Sequence, residues 1–375
     1  IRSARVTLGD FTVLVGPQAT GKSLVLQLWK LAVDRAYLLP YLRRAGMPVS
    51  EPEAMLDVYF GEGMRSAWTP LTRVETNIGR LPKEQLVSHK GIKPRDQEWV
   101  FYIPAHRSLL LANGWPLRFQ QLPEAPVVAR LFSERLNLAL SEADRRELFP
   151  LSRKLKAGLR TMVDDAVFHG GKLVLEERMR QRQMRLRYDD TETDLGYMTW
   201  TAGQREFVPL LLGLYELLPS GKKPKDDHVR WVIVEEPEMG LHPRAVRAVT
   251  FLLLELAHRG YRVMVSTHSP LVLDVLWGIA QIRDSLGRGR QALARVREMF
   301  EVSSDPGINA VAASALHMDF RVFALRYGDD RLAEAEDISA LDPASSNVVE
   351  AGWGGLTGLS SRIAEAVSKA VCEAE

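Results

Sequence analysis

The chain has 375 residues, with 49 Lys and Arg against 47 Asp and Glu, and its single cysteine is Cys372. At this length a large core with an elaborated second lobe, or two domains, is expected, and one thiol excludes both an internal disulfide and a cysteine metal cluster, which fits a reducing cytoplasm. No apolar run reaches the ~20 residues that cross a bilayer, so no membrane association is expected. No signal-like N-terminus is visible, and the start on Ile1 rather than Met leads us to expect a few leading residues beyond it.

The elements follow from periodicity. "ARVTL" (4–8), "GD" and "FTVLV" (11–15) read as strand, turn and strand, running into "VGPQATGKS". Residues 23–45 are helical in period, with Pro40 expected to break the helix. Residues 46–170 mix helical stretches with proline turns, and within them "WVFYIPAHR" (99–107) reads as a buried strand ending at Pro104. "GKLVLEE" and "MRLRYDD" alternate like two antiparallel strands joined by an arginine-rich turn.

"REFVPLLLGLYELL" is a helix, and residues 219–228 form a polar surface loop. "VRWVIVEE" and "YRVMVSTHSP" are buried strands by their unbroken apolar runs. Between them lies a helix with Pro243 in its first turn and Gly260 just past its end. "FRVFALRYGDDRLAEAEDIS" (320–339) reads as a hairpin that turns at Asp329 and Asp330. Strand, helix, strand in this order argues a largely parallel α/β sheet. No heptad run and no internal repeat is present.

Four stretches carry chemistry. Gly16, Gly21, Lys22 and Ser23 fit G-x-x-x-x-G-K-[ST] between a strand and a helix. Backbone N–H groups from Gly16, Pro17, Gln18, Ala19, Thr20, Gly21 and the helix start through Leu24, proline excepted, would surround a β-phosphate. Lys22 would reach the β- and γ-phosphates, and the Ser23 hydroxyl would ligate Mg2+. The run "WVIVEEPE" delivers two adjacent carboxylates, Glu235 and Glu236, to a strand end, one suited to the magnesium shell and its neighbour to orienting water. His268 follows the next buried strand, where it could sense a γ-phosphate. "WTAGQRE" sets a hydroxylic residue, a glycine and a glutamine before a helix, with Thr201 as the expected cap.

These four stretches, in this order, resemble the ATP-binding-cassette ATPases of the non-transporter branch, which contains RecF-like proteins, structural-maintenance-of-chromosomes (SMC) proteins and OLD (overcoming-lysogenisation-defect) nucleases. "EEPEMGLHP", "STHSP", "YIPAHR" and "GQRE" are similar to the OLD-like pattern. The likeness covers residues 1–30 and 195–275 well and the middle loosely.

The resemblance implies an α/β P-loop NTPase fold: an ABC-type head with a largely parallel sheet, an antiparallel β part and a helical lobe inserted between phosphate loop and signature. The core would comprise residues 1–45 and 172–375, and the lobe 46–171. It implies ATP and Mg2+ as cofactors, with Lys22 and Ser23 on phosphate and magnesium, Glu235 on magnesium, Glu236 as general base and His268 as switch histidine. Thr201, Gly203 and Gln204 would contact the γ-phosphate of ATP on a second subunit, making a homodimer or higher oligomer. Glu235 stands where most such ATPases have aspartate, and Ala202 replaces a frequent glycine.

The gap of fewer than 180 residues before the signature lacks the long coiled coil of SMC proteins. Nor does the stretch after His268 read as the TOPRIM nuclease domain of OLD proteins. A stand-alone ATPase acting with a separate effector or on DNA is the expectation, with phage defence as the setting the resemblance suggests. A scaffold that binds ATP with negligible turnover and holds a toxin-like or nuclease effector is the alternative; a small-molecule P-loop kinase or a transporter subunit leaves "TAGQRE" and "STHSP" unexplained. Arg178, Arg180, Arg182, Arg185 and Arg187 are the nucleic-acid candidates, against the plain reading of a charge-protected edge strand. Arg107 is expected to face the nucleotide or the dimer seam.

Overall fold

In chain order the first half of the computed structural model contains β1 (Phe11–Val15), α1 (Lys22–Arg44), α2 (Pro52–Phe60), β2 (Val100–Ile103), α3 (Val127–Ser141), β3 (Glu147–Phe149), α4 (Ala157–Val163), β4 (Lys172–Arg178) and β5 (Gln181–Tyr188). There follow β6 (Thr193–Gly196), α5 (Ala202–Leu217), β7 (Trp231–Glu235), α6 (Pro243–His258), β8 (Arg262–Ser266), α7 (Pro270–Leu286), α8 (Arg290–Met299), α9 (Pro306–Ala315), β9 (Phe320–Tyr327), β10 (Ala333–Asp337) and α10 (Gly358–Ala374). The structure describes all residues except 2, 71, 77–78, 89–92, 144–146, 179–180, 219–227, 330–331 and 375. The polar loop read at 219–228, Arg180 and Asp330 therefore fall wholly or largely outside the described residues. Two units are distinguished: residues 1–23, 235–238 and 242–375 form the first, and 24–234 with 239–241 the second.

In the first unit β1 is central. It pairs in parallel with β8, Phe11 opposite Val263, and with β9, Phe11 opposite Phe320. The hairpin partner β10 runs antiparallel on β9, with Asp329 in the connection, as the sequence indicates. Val13, Leu14, Val15, Val263, Val265 and Val322 lose all exposure, each burial contributing about 1.5–3 kcal/mol. Helix α6 begins at Pro243 behind an N-cap at His242, and Gly260 follows its end at φ 85°. Its apolar stripe packs Phe251 edge-on against Phe300 just beyond α8.

One expected strand does not form. "ARVTL" is irregular, and Ser3, just before it, makes an isolated bridge to Glu334. Both edges of β1 are already taken by β8 and β9, so this segment has no ladder on β1 to join.

In the second unit β7 pairs in parallel with β2, Trp231 opposite Val100. Helix α3 covers β2 through Phe132 against Phe101, and α5 approaches so closely that a Cβ on Gly213 would lie 2.7 Å from the Phe132 ring. Strands β6, β5, β4 and β3 form a separate antiparallel sheet in that order, the β4–β5 hairpin running in register from Lys172 opposite Arg187.

Helix α1 passes straight through Pro40, contrary to the expected break. Its neighbours Leu38, Leu39 and Leu42 are fully buried, and that packing offsets the ~3 kcal/mol of an interior proline. A buried charge group anchors the same helix. Lys30 donates to Asp34 and Glu98, and Asp34 accepts the backbone N–H groups of Trp99 and Val100 at the start of β2.

Candidate functional site

The phosphate loop lies between β1 and α1, and its backbone departs from ordinary geometry at three positions. Gly16 has φ 132°, Gly21 φ 92° and Ala19 φ 61°. A Cβ on Gly16 would sit 2.0 Å from the Leu325 carbonyl oxygen, so only glycine fits there. Pro17, Gln18 and Ala19 form the exposed crown of the loop, and Thr20 is buried, its hydroxyl donating to the Pro17 carbonyl at 2.9 Å. Tyr327 at the end of β9 donates to the Ala19 carbonyl at 2.8 Å, a contact that sequence reading misses because it spans 308 positions.

Lys22, the first residue of α1, is buried and donates to the carbonyls of Gly16 and Pro17, each at 2.8 Å. Burial lowers its pKa from the usual lysine value, while the charges of Glu236 and Glu238 oppose that shift. Ser23 is exposed in the first turn and Leu24 is half-buried on the same helix.

Strand β7 ends in the turn Glu235–Glu238. Glu235 is buried. Glu236 adopts φ 42°, a left-handed conformation uncommon for a side-chain-bearing residue, and its N–H donates to the Ser266 carbonyl at 2.8 Å. His268, beyond the end of β8, brings Nε2 to 3.5 Å from Glu236 Oε1. The structure thus collects Lys22, Ser23, Glu235, Glu236 and His268 within the first unit. It adds Glu238, which sequence reasoning passes over: Oε1 accepts the Thr267 hydroxyl at 2.8 Å and the His268 N–H at 2.7 Å. The doubled acidic pattern "EEPE" is the available signal.

The oxygen donors offered here, the Ser23 hydroxyl and the Glu235 carboxylate, are those magnesium takes beside phosphate oxygens and water. No group of three His, Cys, Asp or Glu that could cage a metal occurs among the described residues. Magnesium bound largely by a nucleotide needs no such group.

The "TAGQ" stretch lies in the second unit. Thr201 is the N-cap of α5 and is exposed; its hydroxyl accepts the Gln204 N–H at 3.2 Å while Gln204 Oε1 accepts the Thr201 N–H, a reciprocal capping box. The Gln204 side chain is buried and also donates to the Val167 carbonyl and the Tyr188 hydroxyl. Gly203 permits close approach, for a Cβ there would sit 2.9 Å from the Gly240 carbonyl oxygen. Arg107, expected to face the nucleotide or the dimer seam, is instead fully buried. It donates to the carbonyls of Pro104 and Glu206, and Ser108 donates to the Glu206 carboxylate. Burial against α5 makes it a tether for that helix.

Of the arginine hairpin, Arg182 donates to the carbonyls of Leu140 and Ser141. Arg185 pairs with Asp194 and Glu176, and Arg187 with Glu176. Part of the basic run is therefore neutralised within its own sheet; the Arg178 side chain and Arg180 lie outside what the structure describes.

Residues 89–274 match a family model described as "AAA domain, putative AbiEii toxin, Type IV TA system". The "Old nuclease" of Escherichia phage P2 is 28% identical over 151 residues, 39% of this chain and 24% of that protein. The "OLD nuclease" of Thermus scotoductus is 37% identical over 67 residues, 18% of this chain and 12% of that protein. The matched segments thus span about a quarter and about an eighth of these curated relatives.

Among solved structures, the SMC head domain from Thermotoga maritima has 14% identity and a TM-score of 0.30, covering 72% of this chain and 84% of that one. An SMC head bound to the C-terminal winged-helix domain of ScpA has 11% identity and a TM-score of 0.39, covering 89% and 92%. No helix among the described residues is long and apolar enough to cross a membrane.

Proposed function

We propose that this chain is an ABC-type, OLD-like AAA ATPase that binds ATP with magnesium and hydrolyses it slowly, using the turnover as a conformational switch between subunits; the family-model match and the two OLD nuclease relatives support the family reading. The observation that carries this reading is the gathering of Lys22, Glu236 and His268 in one unit, with His268 Nε2 at 3.5 Å from Glu236 Oε1 and the Glu236 charge acting on Lys22.

In this reading the phosphate loop from Gly16 to Leu24 holds the nucleotide through backbone N–H groups and the start of α1. Lys22 exchanges its bonds to the Gly16 and Pro17 carbonyls for phosphate oxygens. Ser23 and Glu235 hold magnesium, which supplies charge neutralisation at the phosphates. Glu236 accepts the proton of the attacking water and His268 donates toward the γ-phosphate oxygens, aligning them with the base. Thr201, Gly203 and the N–H groups opening α5 complete the site of a second copy. Gln204, turned inward, contributes by fixing the cap, so the homodimer is made around ATP. We retain the division into an ATPase core (1–45, 172–375) and an inserted lobe (46–171) as part of this proposal. The nuclease named in the relatives is not carried to this chain. A partner effector, in a cytoplasmic defence setting, is the preferred target of the switch; DNA is the lesser one, given the internal ion pairs of Arg185 and Arg187.

The test is steady-state phosphate release by the wild type and by Glu236→Gln, each with and without duplex DNA. Turnover that falls at least a hundredfold in Glu236→Gln is expected, in line with the roughly 10²–10⁴ that general-base catalysis contributes. Equal rates in both proteins would remove Glu236 from its role. No turnover under any condition would leave the ATP-bound scaffold reading in place of the enzyme.

A further inference from the structure

The turn after β7 meets the end of β8 and the loop beyond it through at least four contacts. Glu236 N–H donates to the Ser266 carbonyl, and His268 Nε2 faces Glu236 Oε1. Two further contacts are hydrogen bonds that converge on one atom, Glu238 Oε1, from the Thr267 hydroxyl and the His268 backbone N–H. Thr267 is fully buried, and its hydroxyl oxygen also accepts the N–H of Ser269, the residue that opens α7. The hydroxyl proton is thereby committed to Glu238, and the chain Ser269, Thr267, Glu238 runs from the first turn of α7 to the carboxylate turn.

We propose that Glu238 is a positioning residue that braces the Thr267–Ser269 loop and so holds the His268 imidazole against Glu236. This deepens the ATPase reading and rests on it for the catalytic consequence, though the brace itself does not.

The geometry explains why a carboxylate is placed here at the cost of burial. Glu238 Oε2 is a buried atom without a hydrogen-bond partner among the described residues, and the Glu238 charge acts on Lys22. Leaving a buried polar atom unbonded is unfavourable, but an amide in this position would turn an N–H2 group toward the same field as the Lys22 ammonium. A carboxylate supplies an acceptor with two uses on one side and a negative charge for the lysine on the other.

Without Glu238, both hydrogen bonds to its Oε1 are lost, while the Glu236 N–H bond to Ser266 and the His268–Glu236 approach do not depend on it. The His268 amide then has no described acceptor, and the imidazole loses the anchor that sets its backbone. Misplacement of a reacting group by ~1 Å costs about 10²-fold in rate. The phosphate loop is not part of the brace, so nucleotide binding is left to Gly16–Leu24.

Glu238→Ala and Glu238→Gln in the full chain separate the alternatives. Glutamine keeps an acceptor oxygen for Thr267 and His268; alanine keeps none. The expected result is a kcat reduced at least tenfold in Glu238→Ala with KM for ATP within threefold of wild type, and recovery to within threefold of wild-type kcat in Glu238→Gln. Hydrogen exchange should quicken in peptides covering Thr267–Ser269 in the alanine variant alone, with the Gly16–Ser23 peptides unchanged.

Equal loss of turnover in both variants with unaltered exchange would overturn the brace and assign the effect to the Glu238 charge. Unchanged exchange and unchanged kcat in Glu238→Ala would overturn it outright. If the wild type shows no turnover, the ATPase reading fails by itself. The exchange comparison then still decides the brace: faster exchange in alanine alone supports it, and no difference removes it.

Discussion

Gly16 and Glu236 show how backbone conformation, rather than side-chain chemistry, limits substitution in this site. Gly16 combines φ 132° with a neighbouring carbonyl that an added Cβ would meet at 2.0 Å. Gly16→Ala should therefore lose about 3 kcal/mol of stability or more, because strain and a backbone clash add; urea denaturation showing a change under ~0.5 kcal/mol, the scale of an ordinary surface substitution, would contradict this. Glu236 presents the opposite case. It sits at φ 42°, which costs a side-chain-bearing residue about 1–2 kcal/mol, and the unit tolerates the strain at the position proposed for the base. Glu236→Gly is expected to gain up to about 1 kcal/mol in the same denaturation experiment while losing turnover. A variant both less stable and active would reverse that account. The pattern G-x-x-x-x-G-K-S makes the glycines and Lys22 legible in the sequence, because each residue type is demanded locally. The strain at Glu236 and the bonds of Glu238 are not legible there, since both depend on a loop some thirty positions away in the chain.

Helix α5 is held by a cap and by a buried polar contact, and the two differ in how far the sequence reveals them. The capping box is written in four consecutive residues, Thr201 to Gln204, so the cap at Thr201 is legible from residue order alone. Its removal in Thr201→Ala should cost about 1 kcal/mol. The tether from Arg107 and Ser108 to Glu206 links positions about a hundred residues apart, and nothing local marks it. Arg107→Ala leaves the Glu206 carboxylate without its buried cation and should cost about 3 kcal/mol. Thermal denaturation of the two variants therefore ranks Arg107→Ala well below Thr201→Ala, and the reverse order would mean that the cap rather than the tether holds α5. The same limit explains where local rules fail for whole elements. A break at Pro40 and a strand at "ARVTL" follow from those rules, whereas α1 is kept whole by buried leucines around the proline and β1 has no free edge for the N-terminal segment. Strands of unbroken apolar residues, such as β2, β7 and β8, are legible without tertiary information, because burial on both faces leaves a mark in the sequence itself.

For the whole molecule, the proposed function predicts a nucleotide-dependent association with a second copy. The phosphate loop, the carboxylate turn and His268 belong to the first unit, and the "TAGQ" cap to the second. If ATP is enclosed by the first unit of one copy and the α5 start of another, association must depend on nucleotide, and hydrolysis must weaken it. We propose two exposed apolar side chains for the surface of that association. Met198 and Leu109 are 68% and 72% exposed, and each adjoins the hydrogen bond from the Tyr197 hydroxyl to the Ser108 carbonyl. Neither stands out in the sequence, because exposure of a single Met or Leu has no local signature. Glu236→Gln, able to bind but not to turn over, is expected to sediment as a dimer with ATP and magnesium and as a monomer without them. Introducing a charge by Met198→Asp in that background should weaken the dimer at least tenfold while leaving ATP binding by the dilute monomer unchanged, because the phosphate loop lies in the other unit. Sedimentation velocity over a concentration series, with nucleotide affinity measured in parallel, separates the outcomes. A dimer indifferent to ATP would detach oligomerisation from the nucleotide site. A monomer under all conditions would leave the α5 cap as structure alone and remove the second copy from the proposed mechanism.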